Sequence, residues 1–142
     1  MSDLTLVIGN KNYSSWSLRP WLLMRVAGIP FREVRIPLYD PATAAELATW
    51  SPSGLVPLLQ DGDLKVWDSL AIGEYLAERF PASHLWPEAR EARAMARSVS
   101  AEMHSGFAQL RTAMSMNIRR RYPDRGRTPE SFRDIQRILA KL

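Results

Sequence analysis

The sequence has 142 residues, which is enough for one good hydrophobic core or for one small domain and part of a second. Apolar residues make up 46% and charged residues 24%, with a net charge of +4, which is typical of a folded soluble protein. No apolar run in the sequence approaches the length of about 18 residues that a membrane span needs. Cysteine is absent, so disulfides, thiolate metal sites and cysteine-based redox chemistry are excluded.

The opening of the chain predicts a strand followed by a helix. Residues 4–9 form a continuous apolar run that ends at a glycine, which is typical of a strand buried on both faces. Ser14, Ser15 and Ser17 are candidate N-caps for a helix that extends through Ala27. No signal peptide is indicated, so we expect a cytoplasmic location and no membrane attachment.

The next predicted elements are a strand, a helix and a β-hairpin. Residues 31–36 alternate apolar and charged side chains as an edge strand does, and residues 42–50 follow with a helical pattern. Two short apolar runs, 58–60 and 64–67, then flank the dipeptide Asp61-Gly62, which suits the positive φ angles of a tight turn. The predicted order to this point is β-α-β-α-β-β.

The hairpin is preceded by Val56-Pro57 and followed by Asp68-Ser69. Because proline lacks an N–H, Pro57 is expected at the first position or at the edge of a strand. Ser69 is the predicted N-cap of a third helix. Together, Asp68 and Ser69 place a carboxylate and a hydroxyl at a helix N-terminus, where free N–H groups and the positive end of the helix dipole also lie.

A domain boundary is predicted at residues 81–87, a short segment with a proline at each end. Residues 1–85 hold 7 Lys and Arg against 9 Asp and Glu, whereas residues 86–142 hold 12 against 6. The predicted elements also change there from strands and helices to helices alone, so we divide the chain into 1–80, a linker 81–87 and 88–142. The basic residues are interleaved with acidic ones, which favours a solvated helical surface over nucleic-acid binding.

The second part of the chain predicts one long helix over about 88–122, because its apolar residues recur every three or four positions. Thr128, Pro129 and Glu130 then indicate the start of another helix. The sequence ends at Leu142 while this helix is barely under way, so we expect the all-helical part to be incomplete.

Val56-Pro57, the hairpin and the run Asp68-Ser69-Leu70-Ala71-Ile72 together resemble the glutathione-binding half of the glutathione S-transferase family. The resemblance implies a thioredoxin-like α/β domain, with the order βαβαββα, followed by an all-α and here incomplete C-terminal domain. It also implies a cis peptide bond before Pro57 and pairing of the Val56 backbone with the cysteinyl backbone of glutathione. Asp68 and Ser69 would hold the γ-glutamyl end of glutathione, the co-substrate.

The run Ser14-Ser15-Trp16-Ser17-Leu18-Arg19 is similar to the Ser-Ser-Cys-Ser-x-Arg motif of the zeta class. Aligning Arg19 with the arginine of that motif makes Ser14 the residue that activates the thiol of glutathione. Ser15 and Tyr13 are alternatives, and the serines could instead only cap the helix. A hydroxyl that donates to sulfur, at the positive end of a helix, favours the thiolate.

The resemblance implies an enzyme in which the thiolate of glutathione attacks a small electrophile, and a protein that forms homodimers. Trp16 stands where the zeta-class motif has cysteine, and Arg111 could attract anionic substrate groups by analogy. The alternative is a non-catalytic module that binds glutathione or another protein. No metal is expected, since His84 and His104 lack the spacing of metal ligands.

Overall fold

The computed structural model describes residues 4–140. Its elements, in chain order, are β1 (Leu4–Ile8), α1 (Ser15–Val26), β2 (Arg32–Arg35), α2 (Thr43–Trp50), β3 (Leu58–Asp61), β4 (Leu64–Trp67), α3 (Ser69–Arg79), a 3₁₀ turn (Pro81–Ser83), α4 (Arg90–Ser105), α5 (Ala108–Ala113) and α6 (Pro129–Leu139). None of the helices in this part of the chain combines the length and apolarity that crossing a bilayer requires. The predicted boundary at 81–87 falls between α3 and α4 and stays a prediction.

Four strands form one sheet in the order β2-β1-β3-β4. Strand β1 is parallel to β2 and antiparallel to β3, while β3 and β4 form an antiparallel hairpin. Gly62 has a φ of 57° in the turn of this hairpin, where the sequence predicts a positive φ. The elements from β1 to α3 have the predicted order βαβαββα, so the predicted thioredoxin-like α/β fold is confirmed.

Both faces of β1 are covered, which explains its continuous apolar sequence. On one face, Leu6 packs in a fully buried cluster with Met24 of α1 and Ile72 of α3. On the other face, Val7 packs with Leu47 of α2 in a second cluster. Adjacent residues of a strand point to opposite faces, so a strand covered on both sides is apolar at nearly every position; the exception, Thr5, accepts a hydrogen bond from Arg32 at 3.3 Å. This prediction is confirmed.

The predicted long helix over 88–122 is wrong beyond Ser105. Gly106 is extended, with φ −101° and ψ −168°, and Phe107 is left-handed, with φ 57°. A Cβ on residue 106 would lie 2.8 Å from the backbone oxygen of Glu102, so this turn requires glycine. The turn buries Phe107, and the apolar periodicity therefore continues across two helices rather than along one.

Helix α6 begins after Thr128, as the sequence predicts. Thr128 Oγ1 accepts the backbone N–H of Ser131 at 3.1 Å, and Ser131 Oγ accepts the backbone N–H of Thr128 at 3.0 Å, which forms a capping box. Asp134 of α6 accepts the backbone N–H of Leu110 at 2.9 Å. This bond caps the short helix α5 and ties it to α6.

Helices α3 and α4 are joined by hydrogen bonds to Glu74 of α3. One carboxylate oxygen accepts from Nε of Arg97 on α4 at 3.0 Å, and the other accepts from Nε1 of Trp86 at 3.0 Å. The Arg97 bond, with a smaller effect from Trp86, lowers the pKa of Glu74 below its ordinary value and outweighs burial, which acts in the opposite direction.

Glu74→Gln is expected to lower the urea midpoint of unfolding slightly at pH 7, because a neutral amide cannot form the ion pair. A carboxyl group with a lowered pKa in the folded state stabilises the fold above its unfolded pKa, and the contribution is lost as the pH falls through the folded pKa. The difference from wild type should therefore stay constant from pH 7 to about pH 5.5 and shrink as the pH falls below 4.5, the ordinary pKa of the group. Glu91→Gln, at an exposed position of α4, is the control and should show no such trend.

Candidate functional site

The segment before β3 contains a cis peptide bond between Val56 and Pro57, the one such bond within residues 4–140. Pro57 directly precedes β3, where its missing N–H removes no hydrogen bond from the sheet. The side chain of Val56 packs against the buried cluster that contains Leu58. The cis bond that the resemblance implies is present, while the binding role of Val56 stays a prediction.

Asp68, rather than Ser69, is the N-cap of α3. Oδ1 of Asp68 accepts the backbone N–H groups of Leu70 at 2.8 Å and Ala71 at 3.4 Å. Asp68 also has a φ of 74° and a ψ of 131°, which lie outside the left-handed helical region and are costly for a residue with a Cβ. The predicted capping role of Ser69 is wrong, because the carboxylate one residue earlier already binds the free N–H groups of the first turn.

Ser69 consequently has a hydroxyl that is not used by the helix. The residue is 7% exposed, and its Oγ is buried without a hydrogen-bond partner. It lines a cavity of about 590 Å³ between α1, α3 and α4, together with Arg19 and His104. Buried hydroxyl groups nearly always have a partner, so an unpaired one on a cavity indicates a place for a polar group of a ligand.

His104 of α4 lies on the same cavity, and no sequence motif identified it. Its Nε2 is 3.0 Å from Oδ2 of Asp68, and its ring packs edge-on against Trp16 with the ring centroids 5.2 Å apart. Its Nδ1 is buried and has no hydrogen-bond partner. Asp68 and His104 are a pair only: within residues 4–140, no three or more His, Asp or Glu side chains are grouped to hold a metal ion.

Two arginines make this region positive. The guanidinium carbons of Arg19 and Arg111 lie 4.1 Å and 5.1 Å from the centroid of the Trp16 ring. Burial, followed by the like charge of Arg111, lowers the pKa of Arg19 below its ordinary value, against the effect of Asp68. Arg111 also donates to the backbone oxygen of Met103 at 3.0 Å, near the end of α4, and its attraction for anionic substrates stays a prediction.

Ser14 occupies the N-cap position of α1, but its side chain does not cap the helix. Its Oγ donates to Oγ of Ser17 at 2.9 Å, and Ser17 also accepts the backbone N–H of Gly9 at 3.0 Å. Ser14 is 8% exposed and lines a second cavity, of about 170 Å³, that Lys11 also lines. The hydroxyl hydrogen of Ser14 is therefore held by a neutral acceptor, the hydroxyl oxygen of Ser17.

The structure does not bring all the predicted site residues to one cavity. Ser69 lines the larger cavity and Ser14 the smaller one, and neither Val56 nor Pro57 lines either of the two. Ser15, the first residue of α1, also lies outside both cavities. Tyr13 is the other alternative for thiol activation, and its hydroxyl donates to the backbone oxygen of Leu38 at 3.3 Å.

The protein family follows from a comparison with known families. A family model described as "Glutathione S-transferase, N-terminal domain" matches residues 13–79, from the loop before α1 to the end of α3. Residues 13–79 of this chain are thus similar to the N-terminal domain of glutathione S-transferases. The resemblance drawn from Val56-Pro57 and Asp68-Ser69 is thereby confirmed.

Known glutathione S-transferases and their relatives are similar to this chain over part of their length. A protein of Vibrio cholerae serotype O1 named "Probable maleylacetoacetate isomerase" is 42% identical over 64 residues, which are 42% of this chain and 30% of that protein. Glutathione S-transferase 1 of Dianthus caryophyllus is 34% identical over 83 residues, 58% of this chain and 38% of that protein. The chain thus matches about a third of the length of these relatives.

A solved structure shares the fold over nearly the whole chain. The glutathione transferase homolog from Burkholderia gl BGR1, solved with bound glutathione, superimposes with a TM-score of 0.73 and 24% identity. The match covers 98% of this chain and 65% of that one. The glutathione S-transferase fold therefore extends from the sheet into the helices α4 to α6.

Proposed function

We propose that this protein is a glutathione transferase, which binds glutathione and directs its thiolate at a small electrophile. The observation that carries the proposal is the buried, unpaired hydroxyl of Ser69 at the start of α3, within a glutathione S-transferase domain. A hydroxyl donor beside a helix N-terminus favours a carboxylate, and the γ-glutamyl end of glutathione carries one. Val56, Pro57 and Asp68 complete the proposed binding site, as the family resemblance implies.

Ser14 is the proposed activator of the thiol. A free thiol of the cysteine type has a pKa of about 8.5, so little of it is thiolate at neutral pH. When the sulfur releases its proton to solvent, the Ser14 hydroxyl can donate to the thiolate in place of Ser17. The thiolate then forms a bond with the electrophilic atom, which takes up the electron pair or releases a leaving group.

The proposal includes a homodimer, which follows from the family resemblance, and a cytoplasmic location. A non-catalytic glutathione-binding module is the second candidate function. One observation favours it: the proposed activator Ser14 and the proposed binding residue Ser69 line different cavities. The two candidates differ in turnover, because a binding module would hold glutathione without accelerating conjugation.

Calorimetric titration with glutathione tests the binding that both candidates share. We expect saturable binding by the wild type and roughly tenfold weaker binding by Ser69→Ala, which loses a hydrogen bond to a charged group. Ser98→Ala is the matched control, since this exposed α4 hydroxyl bonds only to the backbone oxygen of Ala94 at 3.0 Å. A wild type without saturable binding would rule out the proposed function, and full affinity in Ser69→Ala would remove Ser69 from the site.

A further inference from the structure

Two buried polar atoms without hydrogen-bond partners belong to residues that line the same cavity. Ser69 Oγ comes from α3 in the glutathione S-transferase domain, and His104 Nδ1 comes from α4 in the helical part. Both residues are neighbours of Asp68: Ser69 follows it in the chain, and Nε2 of His104 lies 3.0 Å from its Oδ2. A ligand that occupies this end of the cavity could satisfy both atoms at once.

The two atoms have different hydrogen-bonding capacities. Because Nε2 of His104 faces a carboxylate oxygen of Asp68, it carries the hydrogen, and Nδ1 of the neutral ring is then an acceptor. The hydroxyl of Ser69 can donate. The contact with Trp16 and the bond to Asp68 hold the imidazole from two sides, so its acceptor atom has a fixed direction.

The groups that line the cavity also differ in the ligand charge that they favour. The guanidinium group of Arg19 lines the cavity and attracts an anionic group. The free acceptor atom of His104, Nδ1, favours a group that can donate, and an ammonium group donates with a positive charge. A ligand end that carries both charges, with its anion toward Ser69 and Arg19 and its cation toward Nδ1 of His104, matches this arrangement.

We propose that His104 accepts a hydrogen bond from the ammonium group of a zwitterionic α-amino acid head, whose carboxylate binds the hydroxyl of Ser69. In glutathione this head is the γ-glutamyl end, so the inference rests on the proposed function. It adds a binding residue from the helical part of the chain, and it makes His104 a determinant of specificity for a free α-amino group. An anion at the same place would face the lone pair of Nδ1.

The experiment compares glutathione with its analogue in which hydrogen replaces the α-amino group of the γ-glutamyl residue. Both ligands are titrated calorimetrically at pH 8, at which an ordinary imidazole is neutral. The proteins are wild type, His104→Ala, His104→Asn and His84→Ala. His84 is the matched control, since it is an exposed histidine whose partner, Glu88, also lies outside the cavity.

We expect the wild type to prefer glutathione over the analogue by roughly tenfold or more, the usual value of a hydrogen bond to a charged group. His104→Ala should lose most of this preference while its affinity for the analogue changes little. His104→Asn should recover part of it, because the amide oxygen can accept at the position of Nδ1. His84→Ala should match the wild type.

Three results would overturn the inference. The wild type could bind both ligands equally, or His104→Ala could keep the full preference. His104→Ala could also lose affinity for both ligands to the same extent, which is the result expected if the residue only supports the fold. Failure of the proposed function looks different, because the wild type would then bind neither ligand.

Discussion

Ser14→Ala is expected to lower kcat/KM for the conjugation of glutathione to a small electrophile by about tenfold to a hundredfold at pH 6.5. The alanine cannot donate a hydrogen bond to sulfur, so the pKa of the bound thiol should rise by about one to two units, and each unit corresponds to about 1.4 kcal/mol. The loss should be smaller at pH 9, where free glutathione is already largely thiolate.

The ultraviolet absorbance of the bound thiolate, followed against pH, measures this effect apart from turnover. Ser15→Ala is the matched control, since Ser15 is the next residue along α1 and does not line the cavity of Ser14. The assignment would be wrong if Ser14→Ala kept the thiol pKa and the rate of the wild type, or if Ser15→Ala lost them. Glutathione binding without turnover in the wild type would favour the non-catalytic module.

Gly126→Ala is expected to destabilise the fold by about 2–4 kcal/mol, from a positive φ of 75° and from overpacking. A Cβ at this position would lie 2.7 Å from the carbonyl carbon of Ala113, in contact with backbone that cannot move aside as a side chain can. The change should loosen the connection from α5 to α6. Urea unfolding, followed by tryptophan fluorescence, measures the effect.

The variant Gly28→Ala measures the cost of a positive φ without the steric clash that is expected at residue 126. Gly28 has a φ of 66°, close to that of Gly126, but a Cβ there would meet no atom within 4 Å. We expect this variant to lose only about 1 kcal/mol, the usual penalty for a positive φ. Equal losses for the two variants would contradict the close packing between residues 113 and 126.

The sequence predicted the N-terminal fold well because its signals are local. The continuous apolar residues of β1, the Asp61-Gly62 turn and the helix pattern after Asp68 each depend on neighbours within a few positions. The same applies to the Val56-Pro57 and Asp68-Ser69 motifs, which identify the family. The roles of Val56 and Ser69 in binding stay predictions, since they depend on a ligand.

The errors occurred where a local pattern had two structural solutions. Both Asp68 and Ser69 are good N-cap residues, and only the backbone at Asp68 decided between them. The apolar period of three and four residues around Gly106 fits one long helix as well as two short ones. The conformation at Phe107 and the cap that Asp134 provides for α5 decided in favour of two helices.

The sequence by itself determined the order of strands and helices up to α3, the turn of the hairpin and the family motifs, because these depend on residues that are close along the chain. Only the tertiary structure decided that His104 meets Asp68, that the hydroxyl of Ser69 is buried without a partner, and that Ser14 donates to Ser17. The pairing with His104 depends on how α4 packs against α1 and α3, and no local pattern encodes that distance. The two serine hydroxyls are close to several possible partners along the chain, and only the packed side chains around them decide which partner each one meets.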